Sequence, residues 1–325
     1  MIQKTLIYQS NGTDPYRNIA IEKHLLETVE EGCCILYLWQ NQNTVVIGRN
    51  QNPWVECRTS LLEEEGGHLA RRLSGGGAVF HDLGNLNFTF LVRDEDYDLD
   101  KQLSVIQQAC ACAGLCAERS GRNDLLVEGC KFSGNAFYHS QGHAYHHGTL
   151  LVDADMDKLS RYLTPSKAKL EAKGVASVRS RVANLSQFCP GLTCDTMAEY
   201  MVRAFDAVYG CKPEAAELSG NAWAQIEKDA EKLSGWDWLY GTRLPFSFAC
   251  EERFSWGSIR LEMQVQSGIV QAAQVYTDSM DWQLAEQLQQ ALTGCKFSLQ
   301  DLLAAIPDIP DVATDIAALL KKQEI

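Results

Sequence analysis

The spacing of apolar residues divides the chain into strand-like and helix-like segments. An apolar run at 5–8 predicts a first strand, and an Asp-Pro pair at 14–15 predicts the start of a helix with the aspartate as N-cap. Runs rich in β-branched and aromatic residues at 34–39 and 44–47 predict two strands, which we expect to pair because a short Asn-Gln-Asn segment joins them. Alternation at 85–91 predicts a half-buried strand.

The pattern changes around Leu244-Pro245, which predicts a boundary between two domains. We expect a large domain over residues 1–245 and a small accessory domain over 246–325. In the second, alternating apolar residues between 259 and 276 predict a β-hairpin, and the residues after it predict two or three helices. A Trp-Asp-Trp sequence at 236–238 suggests an edge strand. The expected fold class is therefore α/β (α+β) in two domains.

The segment from Arg71 to Asp82 combines fixed positive charge with backbone freedom. Its three successive glycines can adopt positive φ, and their N–H groups can form a concave nest for a phosphate or carboxylate. Two arginines precede them and stay charged at any ordinary pH. A glycine turn between two strands is the alternative. The segment matches neither the Walker A loop nor Gly-x-Gly-x-x-Gly, so we interpret it as an anion site of another kind.

Two further segments carry candidate site residues. Asp124 and Lys131 begin successive predicted strands around a Glu-Gly turn, so their side chains are expected to face each other across a hairpin. A role for Lys131 at a ligand site and a plain solvated lysine are both open at this stage. His146 and His147 are neighbours on a predicted strand, so only one of them can face a given site, and a hydrogen-bonding role is favoured over a metal pair.

A basic segment at 166–181 contains five lysines and arginines among small residues and glycine. Such a segment is typical of a mobile loop that becomes ordered over an anionic ligand. A solvated linker without a function is the alternative.

Composition narrows the class of protein. The chain has 325 residues and a formal net charge of −13, which makes a general affinity for nucleic acid or an anionic membrane unexpected. Its twelve cysteines fit no disulfide or zinc spacing and are interpreted as reduced core thiols. No apolar run is long enough for a membrane span and the first residues lack a signal-peptide pattern, so a cytoplasmic location is expected.

Five motifs, in order along the chain, resemble those of the bacterial lipoate-protein ligase A family. They are Arg71–Asp82, Gly121-Arg122-Asn123-Asp124, Lys131-x-Ser133-Gly134, His146–Leu151 and Val178–Leu185. The resemblance implies a biotin ligase-like large domain with a mostly antiparallel sheet, and a small mobile C-terminal domain. It also implies two reactions, in which lipoate and MgATP give lipoyl-AMP and a lysine of a lipoyl domain then takes the lipoyl group.

The resemblance assigns a role to each matching residue. Lys131 is the expected catalytic residue, and Asp124 is the candidate Mg²⁺ ligand. The implied ATP and adenylate contacts are Arg72, Gly75, Gly76, Gly77, Ala78, Val79, Phe80, Asp124 and Lys131. The implied lipoate contacts are Arg71, Ser74, Gly76, His147 and Lys131. Val79, Phe80 and Leu73 are expected to form the walls of an apolar slot for the acyl tail.

The expected partners are lipoate, ATP and the lipoyl domains of 2-oxoacid dehydrogenase complexes and the glycine cleavage H protein. Two other functions stay open. An octanoyltransferase of the same fold would use a cysteine thioester and no ATP, with Cys130 or Cys189 as the thiol. A lipoate-binding protein without catalysis would keep only the fold.

Overall fold

The computed structural model describes residues 2–51, 53–121, 123–163, 182–239, 248–266 and 269–323. Its strands are β1 (Lys4–Gln9), β2 (Cys33–Trp39), β3 (Thr44–Ile47), β4 (His68–Arg71), β5 (Val79–His81), β6 (Asn85–Arg93), β7 (Ala117–Ser120), β8 (Asp124–Val127), β9 (Cys130–Ser140), β10 (His143–Leu151), β11 (Glu214–Ala215), β12 (Phe248–Phe254), β13 (Gly257–Gln266) and β14 (Ile269–Thr277). Its helices are α1 (Pro15–Thr28), α2 (Pro53–Glu56), α3 (Thr59–Glu64), α4 (Leu99–Cys112), α5 (Met156–Tyr162), α6 (Cys194–Tyr209), α7 (Gly220–Ser234), α8 (Trp236–Leu239), α9 (Leu284–Leu292), α10 (Leu299–Ala305) and α11 (Val312–Lys321).

An eight-stranded sheet forms the centre of the large unit, in the order β11-β1-β2-β6-β10-β9-β8-β7. The pairs β11–β1 and β1–β2 are parallel, and the other five pairs are antiparallel. The predicted fold class, a mixed α/β large unit with a mostly antiparallel sheet, is confirmed.

Helices cover both faces of this sheet, and alternation along β2 explains how. Ile35 and Tyr37 belong to the apolar cluster that includes residues of α1 and α7, whereas Leu36 and Leu38 belong to the cluster that includes residues of α4 and α6. Every residue of β2 is therefore buried. As predicted, α1 begins after Asp14, whose side chain accepts a hydrogen bond from the Arg17 N–H.

A second sheet of three strands, in the order β4-β3-β5, lies beside the large one. The predicted pairing of 34–39 with 44–47 is therefore wrong, because β2 lies between β1 and β6 while β3 is the central strand of the small sheet. The connection turns sharply at Asn43, whose φ is +45°. Its neighbour Asn41 is buried and accepts a hydrogen bond from Asn18 of α1, which fixes the path between the two sheets.

The C-terminal unit pairs β12, β13 and β14 in one antiparallel sheet, with α9, α10 and α11 contributing to its own apolar core. The predicted hairpin is confirmed, and of the two or three helices predicted after it the structure has three. The predicted edge strand at 236–238 is wrong, because these residues form the short helix α8, whose Trp238 and Leu239 N–H groups donate to the Gly235 carbonyl. The proposed boundary at 245–246 lies outside the described residues. No described helix has the length and apolar content needed to cross a bilayer.

The C-terminal unit contacts the glycine-rich segment directly. The Gly76 N–H donates to the Ser279 carbonyl at 2.9 Å, and the Thr277 N–H donates to the Asn50 carbonyl at 3.0 Å. The Arg49 guanidinium lies 5.5 Å from the Trp238 ring and 5.1 Å from the ring of Trp282, which follows β14.

Candidate functional site

A cavity of about 1450 Å³ lies where the two sheets of the large unit meet the C-terminal sheet. Its walls include residues of β2, β6, β9 and β10, of β3 and β5, and of β12 and β13. The predicted site residues that line it are Arg72, Gly76, Gly77, Ala78, Val79, Asp124, Lys131 and His147. Arg71, Leu73, Ser74, Gly75 and Phe80 are buried but do not line it. Val182 and Ala183 of the fifth motif also line it, so the fold gathers residues of all five motifs around one space.

Lys131 and Asp124 form an ion pair at this cavity, as the hairpin predicted. The Lys131 Nζ lies 2.6 Å from the Asp124 Oδ1, and the side chains are 34% and 35% exposed. Lys131 pairs with Leu126, two residues beyond Asp124 on the same strand, so the two charged side chains are diagonal neighbours. Gly134 lies opposite Asp124, and a Cβ added there would lie 3.3 Å from Nζ. The missing side chain at Gly134 therefore leaves room for the ammonium group.

Arg72 donates hydrogen bonds to carbonyl groups of residues 75–78, which we call the glycine loop. Its guanidinium donates to the carbonyls of Gly75 at 2.7 Å, Gly77 at 2.8 Å and Val46 at 3.1 Å. Since a trans peptide points its C=O and the following N–H in opposite directions, the Gly76 and Ala78 N–H groups point away from Arg72. Burial lowers the pKa of Arg72 to about 10, so it stays charged at neutral pH.

Close approach explains why glycines occupy this loop. A Cβ on Gly75 would lie 2.1 Å from the Ser279 carbonyl oxygen, and Gly76 has a φ of +91°. The backbone of this segment therefore contacts Arg72 on one side and the Ser279 backbone on the other. In this structure the Gly76 N–H donates to Ser279, while Gly77 and Ala78 line the cavity.

Arg71 was predicted to contact lipoate, but its guanidinium is directed away from the cavity wall. It donates to the carbonyls of Trp238 at 2.9 Å, Arg49 at 2.8 Å and Gln51 at 2.7 Å, and also to those of Gly48 and Leu239. These bonds join β4 to the segment after β3 and to α8. Phe80 also points away from the cavity, into the apolar cluster of the small sheet, where its ring centroid lies 5.4 Å from that of Tyr162. This follows because successive residues of β5 alternate between faces and Val79 faces the cavity.

The two neighbouring histidines point in opposite directions, as predicted. His146 is buried between Phe88, Phe90 and Phe137, and its Nε2–H donates to the Asn135 Oδ1 at 2.7 Å. His147 lines the cavity, with Nδ1 2.7 Å from the Glu22 Oε1 and Nε2 2.8 Å from the Ser74 Oγ.

Sequence reasoning missed the contribution of Glu22, Trp39 and Asn87 to the cavity wall. Two signals were available. Glu22 follows Ile21 on the apolar side of α1, where a charged residue is unusual. The residues of β6 that alternate with its apolar side chains, Asn85, Asn87 and Thr89, are polar yet 1% exposed or less. A buried polar face on a central strand indicates a cavity floor.

The basic segment at 166–181 and Arg122 lie outside the described residues, so the roles expected for them stay predictions. Within the described part of the chain, no three His, Cys, Asp or Glu side chains are grouped so that they could hold a metal ion.

Family models match most of the chain. The model of the lipoyl protein ligase A/B catalytic domain matches residues 14–206, and that of the bacterial lipoate protein ligase C-terminus matches residues 244–325.

Solved structures of similar fold agree with these matches. Plasmodium falciparum LipL1 in complex with lipoate is 27% identical, with 98% of this chain and 100% of that chain covered and a TM-score of 0.86. A bipartite lipoate protein ligase from Thermoplasma acidophilum, solved with its E2 lipoyl domain, is 25% identical over 76% of this chain and 100% of that chain, with a TM-score of 0.66. A lipoate-protein ligase A bound with ATP is 25% identical over 74% of this chain and 99% of that chain, with a TM-score of 0.64.

Proposed function

Since the chain belongs to the lipoyl protein ligase A/B family, we propose that it is an ATP-dependent lipoate-protein ligase. In the first reaction the lipoate carboxylate attacks the α-phosphorus of ATP, a P–O bond forms, and pyrophosphate leaves. In the second, the ε-amine of a lipoyl-domain lysine attacks the acyl carbon of lipoyl-AMP, an amide forms, and AMP leaves. The observation that carries this proposal is the Lys131–Asp124 pair on the same cavity as the glycine loop.

Charge is the main obstacle to the first reaction, because a carboxylate must approach a phosphate. An ammonium group between the two anions reduces their repulsion and stabilises the charge that develops during attack. Lys131 is suited to this task because Asp124 fixes its position while about a third of its side chain stays exposed. Arg72 adds positive potential from behind the glycine loop, and the Gly77 and Ala78 backbone lies at the cavity.

The acyl tail requires an apolar surface away from the charged groups. Trp39, Val46, Val79 and Ala136 provide such a surface within the same cavity. Burial of each CH₂ group contributes about 0.8 kcal/mol, so a medium-length acyl chain gains several kcal/mol of affinity there. We infer that this apolar wall takes the tail, whereas Phe80 and Leu73, which do not line the cavity, support it from behind.

Magnesium would enter with ATP. The ion commonly keeps several waters and binds phosphates plus one or two carboxylates, so the absence of a three-ligand cluster among the described residues is compatible with this mode. Asp124 offers its second carboxylate oxygen, since Oδ1 contacts Lys131. When bound, the ion supplies positive charge to the phosphate oxygens.

The second reaction requires an acceptor lysine on another protein. We propose lipoyl domains of 2-oxoacid dehydrogenase complexes and the glycine cleavage H protein as acceptors. The relative from Thermoplasma acidophilum, whose structure includes its E2 lipoyl domain, supports this choice.

The direct test is the mass of a lipoyl domain after incubation with the protein, lipoate, ATP and Mg²⁺. We expect the mass of one lipoyl group to be added, and we expect no addition when any one component is omitted. Modification without ATP would contradict the proposal.

The role of Lys131 is tested by Lys131→Ala, with Lys228→Ala as the matched control because Lys228 is exposed on α7. We expect Lys131→Ala to abolish lipoate-dependent exchange of pyrophosphate into ATP without loss of folding, and Lys228→Ala to exchange like the wild type. Normal exchange by Lys131→Ala would remove this lysine from the mechanism.

The thioester alternative is tested at Cys130, which lines the cavity, unlike Cys189. We expect Cys130→Ala to keep pyrophosphate exchange. A hydroxylamine-sensitive acyl-protein in the wild type, together with the absence of exchange, would favour the octanoyltransferase.

A further inference from the structure

A chain of buried hydrogen bonds joins the glycine loop to a carboxylate on the cavity wall. Arg72 Nε lies 3.1 Å from the Ser74 Oγ, Ser74 Oγ lies 2.8 Å from the His147 Nε2, and His147 Nδ1 lies 2.7 Å from the Glu22 Oε1. Glu22 and Ser74 are 0% exposed, and Arg72 and His147 are 7% exposed. These hydrogen bonds connect the segment after β4 with β10 and α1, which are distant from it in sequence.

The direction of these hydrogen bonds follows from groups that can only donate. Arg72 Nε–H donates to the Ser74 oxygen and, at the same distance of 3.1 Å, to the Gly75 carbonyl; the Ser74 hydroxyl hydrogen is then directed at His147 Nε2 at 2.8 Å. At the other end, the indole N–H of Trp39 donates to the Thr89 Oγ1 at 3.2 Å, and the Thr89 hydroxyl donates to the Glu22 Oε1 at 2.7 Å. In this arrangement His147 Nδ1–H donates to the Glu22 Oε1.

Within the part of the chain that the structure describes, the hydrogen bonds of Arg72 go to carbonyl groups and the Ser74 hydroxyl and none goes to a carboxylate. A buried guanidinium without a nearby negative charge is costly. Two carboxylates, Glu22 and Asp278, act on the Arg72 charge, and Glu22 is the one joined to Arg72 by the hydrogen-bonded chain. The second oxygen of Glu22, Oε2, is buried without a partner among the described atoms. Glu22 and Arg72 are therefore linked through two intervening side chains, His147 and Ser74.

We propose that Glu22 is a positioning residue for adenylate formation and the counter-charge of Arg72, acting through His147 and Ser74. By fixing Ser74 and Arg72, it fixes the carbonyls of Gly75 and Gly77 and hence the direction of the loop N–H groups. Its kinetic consequences rest on the proposed function. The charge pairing does not, and it can be tested without any ligase activity.

The kinetic test compares two substitutions of Glu22 that separate charge from reach. Glu22→Gln keeps the shape of the side chain and removes its charge. Because the cavity becomes more positive, we expect ATP to bind more tightly. Because the glycine loop is held less firmly, we expect kcat for pyrophosphate exchange to fall about tenfold or more. Glu22→Asp keeps the charge, but the aspartate side chain is too short to reach His147. We therefore expect kcat to fall in this variant without the decrease in the Kd for ATP that is expected for Glu22→Gln. A purely structural lesion would raise the Kd in both variants, and that result, or an unchanged kcat in Glu22→Gln, would overturn the proposal.

The stability test uses a double-mutant cycle between Glu22→Gln and Arg72→Met, read by chemical unfolding. If the two charges compensate each other, the double variant has a larger folding equilibrium constant than the product of the two single effects allows. Thr89→Val is the matched control, because it removes a hydrogen bond to the same Glu22 oxygen without touching the chain to Arg72; it should combine additively with Arg72→Met. An additive cycle for Glu22 would refute the charge pairing.

A measurement on the wild type covers the case in which these variants do not fold. Nitrogen NMR of histidine-labelled protein should show the His147 proton on Nδ1 and none on Nε2. A proton on Nε2 would contradict the assigned direction. If the wild type shows no lipoate-dependent exchange, the proposed function fails, while the stability cycle and the tautomer still decide the charge pairing.

Discussion

Acidification should destabilise the protein well before its carboxylates titrate, because two histidines are buried in uncharged form. His146 is 0% exposed and is enclosed by phenylalanine rings, and burial lowers its pKa from 6.5 to about 3. Burial likewise lowers the pKa of His81 to about 3, with the Arg72 charge as the next cause. In the unfolded chain both would titrate near 6.5.

The size of the effect follows from proton linkage. A histidine that binds a proton only in the unfolded state contributes its full stability above pH 6.5 and loses it as pH falls toward 3. Between about pH 7 and about pH 5 the loss is roughly 2 kcal/mol for each such histidine, hence roughly 4 kcal/mol for both. This is a large part of the stability of an ordinary domain.

Urea unfolding at several pH values in this window measures the effect, and a His146→Gln variant isolates one contribution. The glutamine amide can donate to the Asn135 Oδ1 as the imidazole Nε2–H does, but it has no titratable proton. We expect the variant to lose roughly 2 kcal/mol less than the wild type between about pH 7 and about pH 5. Equal losses in the two proteins would show that His146 is not held neutral by burial, and the reasoning would fail.

Two glycines and one arginine give further predictions. In Gly134→Ala the new Cβ would meet only the flexible end of Lys131, so pyrophosphate exchange should fall while urea stability stays near that of the wild type. In Gly148→Ala it would lie 2.7 Å from the Gly134 carbonyl oxygen, so stability should fall by roughly 1–3 kcal/mol. Arg71→Lys should cost roughly 1–3 kcal/mol in the same urea assay, because one ammonium group cannot satisfy five carbonyls; an Arg71→Lys protein as stable as the wild type would contradict the structural role given to Arg71.

Features that depend on neighbouring residues could be predicted from the sequence. The Lys131–Asp124 contact follows from a hairpin whose turn and strands lie within a few residues of each other. The opposite directions of His146 and His147 follow from strand geometry alone. The position of the glycine-rich segment at a cavity could also be predicted, because three successive glycines between charged residues are typical of a backbone nest.

Features that depend on contacts between distant parts of the chain could not be predicted from the sequence. Nothing local shows that β3 leaves the large sheet, since that choice depends on which strand edges remain open once β1 and β6 have paired with β2. Glu22 reaches His147 across 125 positions of sequence. A charged residue on the apolar side of α1 was visible, but its partner was not.

The arginines show why residue type alone misassigns a role. A guanidinium has a fixed number of N–H donors, and each donor directed at a carbonyl is unavailable to a phosphate. Arg71 and Arg72 direct theirs mainly at backbone carbonyls, so under the proposed function they would act on an anion through the shape and potential of the loop rather than by direct hydrogen bonds. Directional contacts must then come from backbone N–H groups, which carry no net charge, and from Lys131. The chain has a net charge of −13. In this arrangement the two arginines supply positive charge near the cavity, while the backbone of the glycine loop sets the direction of the N–H donors.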